Sequence, residues 1–396
     1  ANGGAVYNSG TFTANTVMSS ANSAKKGGAV YNADGSTFEV KYSTFTMNRA
    51  STFGGAVYNG NGTATNAEVF NSTFSGNSSE KIGGALYNAG RFIARTVAFE
   101  NNNAGKGGAV YNAEGAYFEI TGGVFKNNRA GEIASDVYNT HGIFSATSVS
   151  FSGSSASASI SIVNENGGTL EIRFGTFTGY KTSEGLLYNT GTNSTVSLNA
   201  TTFSNNKSET NTAAIRNVGG GNITVSNSVF DSNACTKDPW GAVYNETGST
   251  VTIMDTSFLT ASDGVYNAGT MILGGTVTFS GPVKAIAGVD ATVKTNDGTK
   301  IVLDVSKLGT DSTEAGFYGI DKIDYGSDST FEFDVREIFK NIRDDENYYI
   351  ASVTADASED WIKNTKLKSN FHTFNFFSYL CKRFQRDEIW SLSSVG

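Results

Sequence analysis

Cysteine, proline and histidine are almost missing from this sequence, with two of each in 396 residues. The cysteines, Cys235 and Cys381, stand far apart, so neither a disulfide framework nor a zinc spacing can be built from them. Two histidines nearly exclude a histidine-based acid–base or metal site. The shortage of proline fits a chain made mostly of hydrogen-bonded strands, because proline cannot donate to a ladder. Charge is scarce too: charged residues make up 17%, against about a quarter in ordinary domains. The net charge of −8 argues against nucleic acid and acidic membrane surfaces as partners. No apolar run is long enough to span a membrane, and no signal peptide is present. The chain opens at Ala1-Asn2-Gly3-Gly4, already inside a repeat, which reads as a fragment whose upstream signal and cap are missing.

What is abundant is glycine (46), phenylalanine (27) and tyrosine (17). A disordered chain would have few aromatics and high charge, so this one folds. The stretch Gly107-Gly108-Ala109-Val110-Tyr111-Asn112 returns along more than two thirds of the chain. Clean copies end at Tyr7-Asn8, Tyr31-Asn32, Tyr58-Asn59, Tyr87-Asn88 and Tyr111-Asn112. Looser copies end at Tyr138-Asn139, Val163-Asn164, Tyr188-Asn189, Arg216-Asn217, Tyr244-Asn245 and Tyr266-Asn267. The period is about 26 residues, in the range that signals a solenoid.

Residues 107–130 show what one repeat holds. Gly107 to Asn112 reads as a short strand ending in a turn. Tyr117-Phe118-Glu119-Ile120 alternates apolar and polar as a second strand. Gly123 to Asn128 is a third, and Arg129-Ala130 a link to the next copy. Three short strands per period leave no room for a helix. The position of Val110 is always aliphatic and faces in. The positions of Ala109 and Tyr111 also carry Asp136, Leu186 and Arg216. Unpaired charges are seldom buried, so both positions are expected to face out.

Asn112 then falls inside, at the turn. Asn8, Asn32, Asn59, Asn88, Asn112 and Asn139 are expected to form a structural ladder, amide to amide. This pattern predicts an all-β fold, a right-handed parallel β-helix of about eleven coils and roughly 50 Å in length. Tyr7, Tyr31, Tyr58, Tyr87, Tyr111 and Tyr138 would form an outward stripe. It either stabilises neighbouring strands at roughly 0.2–1 kcal/mol per pair or offers an aromatic strip to sugars or proteins.

These motifs resemble the polymorphic outer-membrane proteins, a family of autotransporter adhesins whose repeats pair a Gly-Gly-Ala-Ile tetrapeptide with Phe-x-x-Asn. Here Gly-Gly-Ala-Val stands at 3–6, 27–30, 54–57 and 107–110, and Gly-Gly-Ala-Leu at 83–86. Phe-x-x-Asn is matched at Phe45–Asn48, Phe74–Asn77, Phe99–Asn102, Phe125–Asn128, Phe203–Asn206 and Phe230–Asn233. The resemblance covers about residues 1–280. It implies a surface-attached or secreted passenger that binds host or neighbouring cells through a glycan or protein receptor, with no catalytic residues, no cofactor and no metal. No transporter barrel is present in this sequence.

After Gly288 the grammar changes. Residues 289–369 read as a strand-rich cap on the β-helix of residues 1–288, with strands expected at 299–305, 330–335 and 348–353. Ala234 to Trp240 reads as an insertion loop, either a tolerated surface loop or a binding element. Residues 370–396 are aromatic and basic and fit nothing before them. They are either a binding tail or a non-native end.

Because β-helices also carry polysaccharide lyases and glycoside hydrolases, an enzyme is the alternative. Polygalacturonase-like motifs are not assembled: Asp344-Asp345 lies outside the repeats, and His141-Gly142 lacks the preceding glycine. The outward Glu39, Glu68, Glu119 and Glu171 are read as scattered rather than clustered. A purely structural surface stem is the second alternative.

Overall fold

The alternating apolar positions of each repeat can be buried only if successive copies lie on one another, and that is what the computed structural model shows. It describes residues 1–304 except 63, 154–159, 210–211, 237–240, 261 and 281–283, and beyond them 316–324, 329–334, 349–350, 365–368 and 392–393. Among these there is no helix. The strands pair in parallel with their equivalents in the next copy, giving a β-solenoid of about 11 turns.

Pairing is in register along the stack, apart from shifts at Ala24/Lys26, at Ala104/Lys106 and along Lys284–Thr295. Val30, Val57, Leu86, Val110, Val137, Ile162, Leu187 and Ile215 sit one above another and are fully buried. The Phe38 and Val40 columns of the second strand are likewise inside. The third strand contributes ten stacked rings, from Phe45 to Phe279, with centroids 4.5–5.1 Å apart. That spacing is the strand separation itself, so each ring meets its neighbours face to face with a lateral offset set by the pleat.

The double glycine follows from the corner it builds. Gly107 adopts φ 60°, a left-handed conformation that penalises a side chain. At the second glycine there is no space: a Cβ on Gly84 would lie 1.9 Å from the carbonyl oxygen of Gly108 in the next coil. In the eroded copy at 134–137, Ala134 keeps the left-handed φ, 63°.

Three features differ from the sequence expectation. The link after the third strand is itself a strand in the first coils. Ser23–Lys26, Arg49–Phe53, Ser78–Ser79, Asn103–Lys106 and Arg129–Ile133 form a separate five-stranded sheet. The Ala109 position faces in: Ala109, Asp136 and Leu186 are all buried, because the charge that argued against burial is paired inside, as described below. The stack also does not stop at Gly288. Strand Lys284–Thr295 pairs in parallel with both Val265–Asn267 and Thr270–Gly274, and Lys300–Asp304, Thr330–Asp334 and Thr365–Lys368 extend the same sheet. The altered composition after Gly288 thus keeps the parallel pairing that the hydrogen-bonding backbone dictates.

The strand expected near 348–353 is Tyr349–Ile350, antiparallel to Leu392–Ser393. The rest of the 370–396 tail lies outside the described residues. In the expected insertion, Ala234–Cys235 is a strand paired with Lys207–Ser208, and residues 237–240 lie outside the description.

Candidate functional site

Two polar ladders run inside the solenoid and fix which faces remain outside. In the first, Asn8, Asn32, Asn59, Asn88, Asn112 and Asn139 each donate from the side-chain amide to the next carbonyl oxygen, at 2.7–2.8 Å. The chain of amides runs on unbroken through Asn164, Asn189, Asn217 and Asn245 to Asn267. Most members also donate to a backbone carbonyl at the turn, as Asn112 does to Ile143 O. Each amide thereby satisfies groups that would be costly to bury alone.

The asparagine of Phe-x-x-Asn builds a second ladder, which sequence reasoning did not separate from the first. Asn22, Asn48, Asn77, Asn102 and Asn128 are joined amide to amide at 3.0 Å. Here each side-chain oxygen also accepts the backbone N–H of the asparagine before it, as Asn102 accepts from Asn77 at 3.0 Å.

This ladder ends twice on an acid. Asn128 donates to Oδ1 of Asp136 at 2.9 Å, and the other oxygen accepts from the hydroxyls of Tyr180, Ser161 and Ser135. Tyr180 stands where a later copy would have its asparagine, and Asn206 accepts its backbone N–H. Further on, Asn233 donates both its backbone N–H and its side-chain amide to Asp263, whose second oxygen accepts from Ser232 and Thr260 N–H groups and the Thr260 hydroxyl. Burial pushes both carboxyls up from the ordinary aspartate value, against the pull of these donors. The sequence signal was Ser-Asp just ahead of Val-Tyr-Asn at 135–139, and again with one inserted glycine at 262–267.

Outside, the six tyrosines form one stack, Tyr7 to Tyr138, with centroids 4.7–5.6 Å apart. Only its end is open. Tyr7 is 59% exposed, but Tyr58 and Tyr138 fall to 8% and 5%. The additional fourth strands explain this. Phe53 packs on Tyr58 and Tyr87, Lys26 lies over Phe53 and Tyr58, and Lys106 covers Tyr138. Tyr138 donates its hydroxyl to Glu165. Desolvation lifts the Tyr111 phenol to about 12 and also raises Tyr58 and Tyr138. The middle of the stripe is therefore a covered stack rather than an open strip.

Further along, Val163 interrupts the rings, and Arg216 takes a ring's place. Its guanidinium lies 5.6 Å from the Tyr188 centroid and 5.5 Å from that of Tyr244, and it pairs with Glu184.

The outward glutamates are not scattered. Glu39, Glu68, Glu119 and Glu171 occupy one column of the second strand, with Ile93 and Ser145 between them. The repeat alignment already makes Glu39, Glu119 and Glu171 equivalent, and the register adds Glu68 to the same column. Glu39 pairs with Lys41 at 2.8 Å, Glu68 with Arg91 at 3.6 Å and Glu119 with Arg95 at 3.5 Å. The first three thus share their charge with a neighbouring cation. A glycosidase instead needs two carboxyls in unlike surroundings flanking a bound sugar. Among the described residues no group of three histidine, cysteine, aspartate or glutamate side chains could hold a metal ion.

Comparison with known proteins matches the geometry at its most regular part. Residues 71–89 and 96–113 match the Chlamydia polymorphic membrane protein repeat. Each matched segment runs from Phe-x-x-Asn to the following Gly-Gly-Ala and Tyr-Asn, and so carries one rung of both ladders and the corner between them. Over these two stretches the chain is similar to the repeats of Chlamydia polymorphic membrane proteins, which supports a repeat protein like them. No curated protein and no solved structure shows significant similarity to it.

Proposed function

We propose that this chain is the displayed, rod-like part of a bacterial surface or secreted protein, and that it acts by adhesion to a glycan or protein on a host or neighbouring cell. The repeat type and the solenoid fit a surface protein. The observation that carries the adhesive reading is how the interior is used. Stacked aliphatic, phenylalanine and asparagine columns fill it, so the recognition surface is the outside of the coils. The glutamate column, the edges of the tyrosine stack and the short fourth strands are the faces on offer.

The test is direct. Beads coated with the purified chain are incubated with cultured epithelial and bacterial cells and counted after washing. Saturable attachment, competed by free chain, is expected. Absence of attachment to any cell type would leave a structural stem as the function. In parallel, the chain is incubated with neutral and acidic polysaccharides and assayed for new reducing ends or unsaturated products. No release is expected, and cleavage of any polymer would move the function to the glutamate column.

A further inference from the structure

The fourth strands share a property that the rest of the chain lacks. In the five-stranded sheet and in the three strands Lys181–Thr182, Lys207–Ser208 and Ala234–Cys235, cations dominate. Lys25, Lys26, Arg49, Lys106, Arg129, Lys181 and Lys207 lie on these strands against one acid, Glu132; Glu80 and Lys81 follow Ser78–Ser79, and Glu209 stands just past the last lysine strand, on a chain of net charge −8.

The column immediately after the second asparagine ladder reads Ser23, Arg49, Ser78, Asn103 and Arg129 in register. It resumes at Lys181 and Lys207, which are direct partners. Its four cations are exposed. Like charges on adjacent rungs, about 4.8 Å apart, repel and cost stability. Among the described residues neither Lys181 nor Lys207 is in an ion pair. On the same sheet, Arg49–Glu80 at 2.9 Å and Lys106–Glu132 at 4.0 Å are exposed pairs, worth about 0–1 kcal/mol and readily exchanged for another anion.

We propose that this face binds a linear, acidic polysaccharide, sulfated or uronic-acid-bearing, lying along the solenoid axis. The proposal rests on the adhesive reading above and assigns it a ligand class and a surface. The face is one short strand wide and many rungs long, which suits a single chain. Its cations recur at intervals rather than on every rung: Arg49 and Arg129 stand three rungs apart, on the order of 14 Å. The hydroxyl of Ser78 and the amide of Asn103 between them, and the hydroxyl of Ser23 on the rung before Arg49, can bond sugar hydroxyls. A nucleic acid, with its much denser charge, would meet repulsion from the acidic remainder of the protein. A glycan of sparser charge fits the interrupted cation column.

The experiment titrates fluorescent heparin oligosaccharides with the full chain at about 50 mM and about 200 mM salt. Hyaluronan, neutral dextran, duplex DNA and phosphatidylserine vesicles are run alongside. Salt-sensitive binding to heparin or hyaluronan, and none to dextran, is expected. The variant K181E/K207E should bind at least about tenfold more weakly. K41E/R95E, on the glutamate face, should stay within about twofold, and thermal unfolding checks that both variants fold. No binding to either acidic glycan, or equal binding by wild type and K181E/K207E, overturns the proposal. So does binding to DNA or vesicles as tight as to heparin. If beads attach to cells but heparin does not compete and K181E/K207E attaches equally, this surface is wrong and adhesion stands. If heparin binds but no cell attachment occurs, adhesion fails and this surface stands.

Discussion

The two asparagine ladders use the same side chain in the same interior, yet one runs unbroken from Asn8 to Asn267 and the other stops at Asp136 and again at Asp263. The difference lies in what each ladder holds. First-ladder amides bond mostly to each other and to turn carbonyls. Second-ladder oxygens also accept the backbone N–H of the preceding asparagine at every rung from Asn48 to Asn128, whereas in the first ladder a glycine N–H is accepted only at Asn8, Asn88 and Asn267 among the described residues. Where the second ladder loses an asparagine, an aspartate from a neighbouring stretch supplies an acceptor: Asp263 takes both the backbone N–H and the amide of Asn233, and Asp136 takes the amide of Asn128. A buried carboxylate is an expensive acceptor, tolerated here because several donors converge on each one.

The largest effect should come from cutting both ladders in the same coils. Asn102→Ala removes the acceptor of the Asn77 N–H and amide and the donor to Phe74 O and Asn128. At about 1–3 kcal/mol per orphaned buried group, partly relieved by relaxation, a loss of about 4 kcal/mol is expected. Asn112→Ala orphans no backbone N–H, and about 2 kcal/mol is expected. Urea unfolding of both variants checks the order. Equal losses would mean that the backbone contact does not distinguish the ladders.

The two acids should answer differently to the same substitution. The outer oxygen of Asp136 accepts only from hydroxyls, which can rotate to accept from an amide instead. That of Asp263 accepts from the N–H groups of Ser232 and Thr260, which cannot. Asp263→Asn therefore sets N–H against N–H and should cost about 2 kcal/mol. Asp136→Asn removes a buried charge while keeping partners for Asn128, Ser161 and Tyr180, and should gain up to about 1 kcal/mol at neutral pH.

The sign of the pH dependence follows from the raised carboxyls. The folded chain holds these protons more tightly than the unfolded one, so this contribution is present at acid pH and is lost as pH rises through the folded values. Asp136→Asn should flatten that fall in a melting-temperature series from acid to neutral pH. An unchanged slope would mean that Asp136 does not titrate there.

Much of this comparison was readable before any coordinates, and the part that was not has a physical reason. A column is legible when one residue type fills it, and Val110, Phe118, Phe125 and Asn112 declared their columns because parallel stacking puts like on like. Asp136 misled because a lone acid in an aliphatic context signals exposure unless its donors are known, and Tyr180 and Ser161 come from later coils. The glutamates, though equivalent in the repeat, read as scattered because Ile93 and Ser145 interrupt their column, and the cover over the tyrosine stack was hidden by fourth strands that carry no strong alternation, such as Asn103–Lys106.

The finest test concerns the coil between the regular and eroded halves. Ala134 takes the left-handed conformation that glycine takes at 107, at a cost of about 1–2 kcal/mol. Its methyl, however, is buried against Tyr138, Ile160 and Val163, and Val163 is the residue that replaces a tyrosine in the stack. The expectation is that the two departures compensate one another, since both side chains belong to this one buried cluster. Ala134→Gly alone should therefore change stability by less than about 1 kcal/mol, since relief of strain is offset by a lost methyl contact. Val163→Tyr alone would press a ring onto that methyl. Together they restore the glycine and the tyrosine at these two positions, and a double-mutant cycle by urea unfolding should show about 0.5–1 kcal/mol of favourable coupling. Simple additivity would show that the substitutions at 134 and 163 arose without regard to each other, and that the eroded half is only a weaker copy of the regular one.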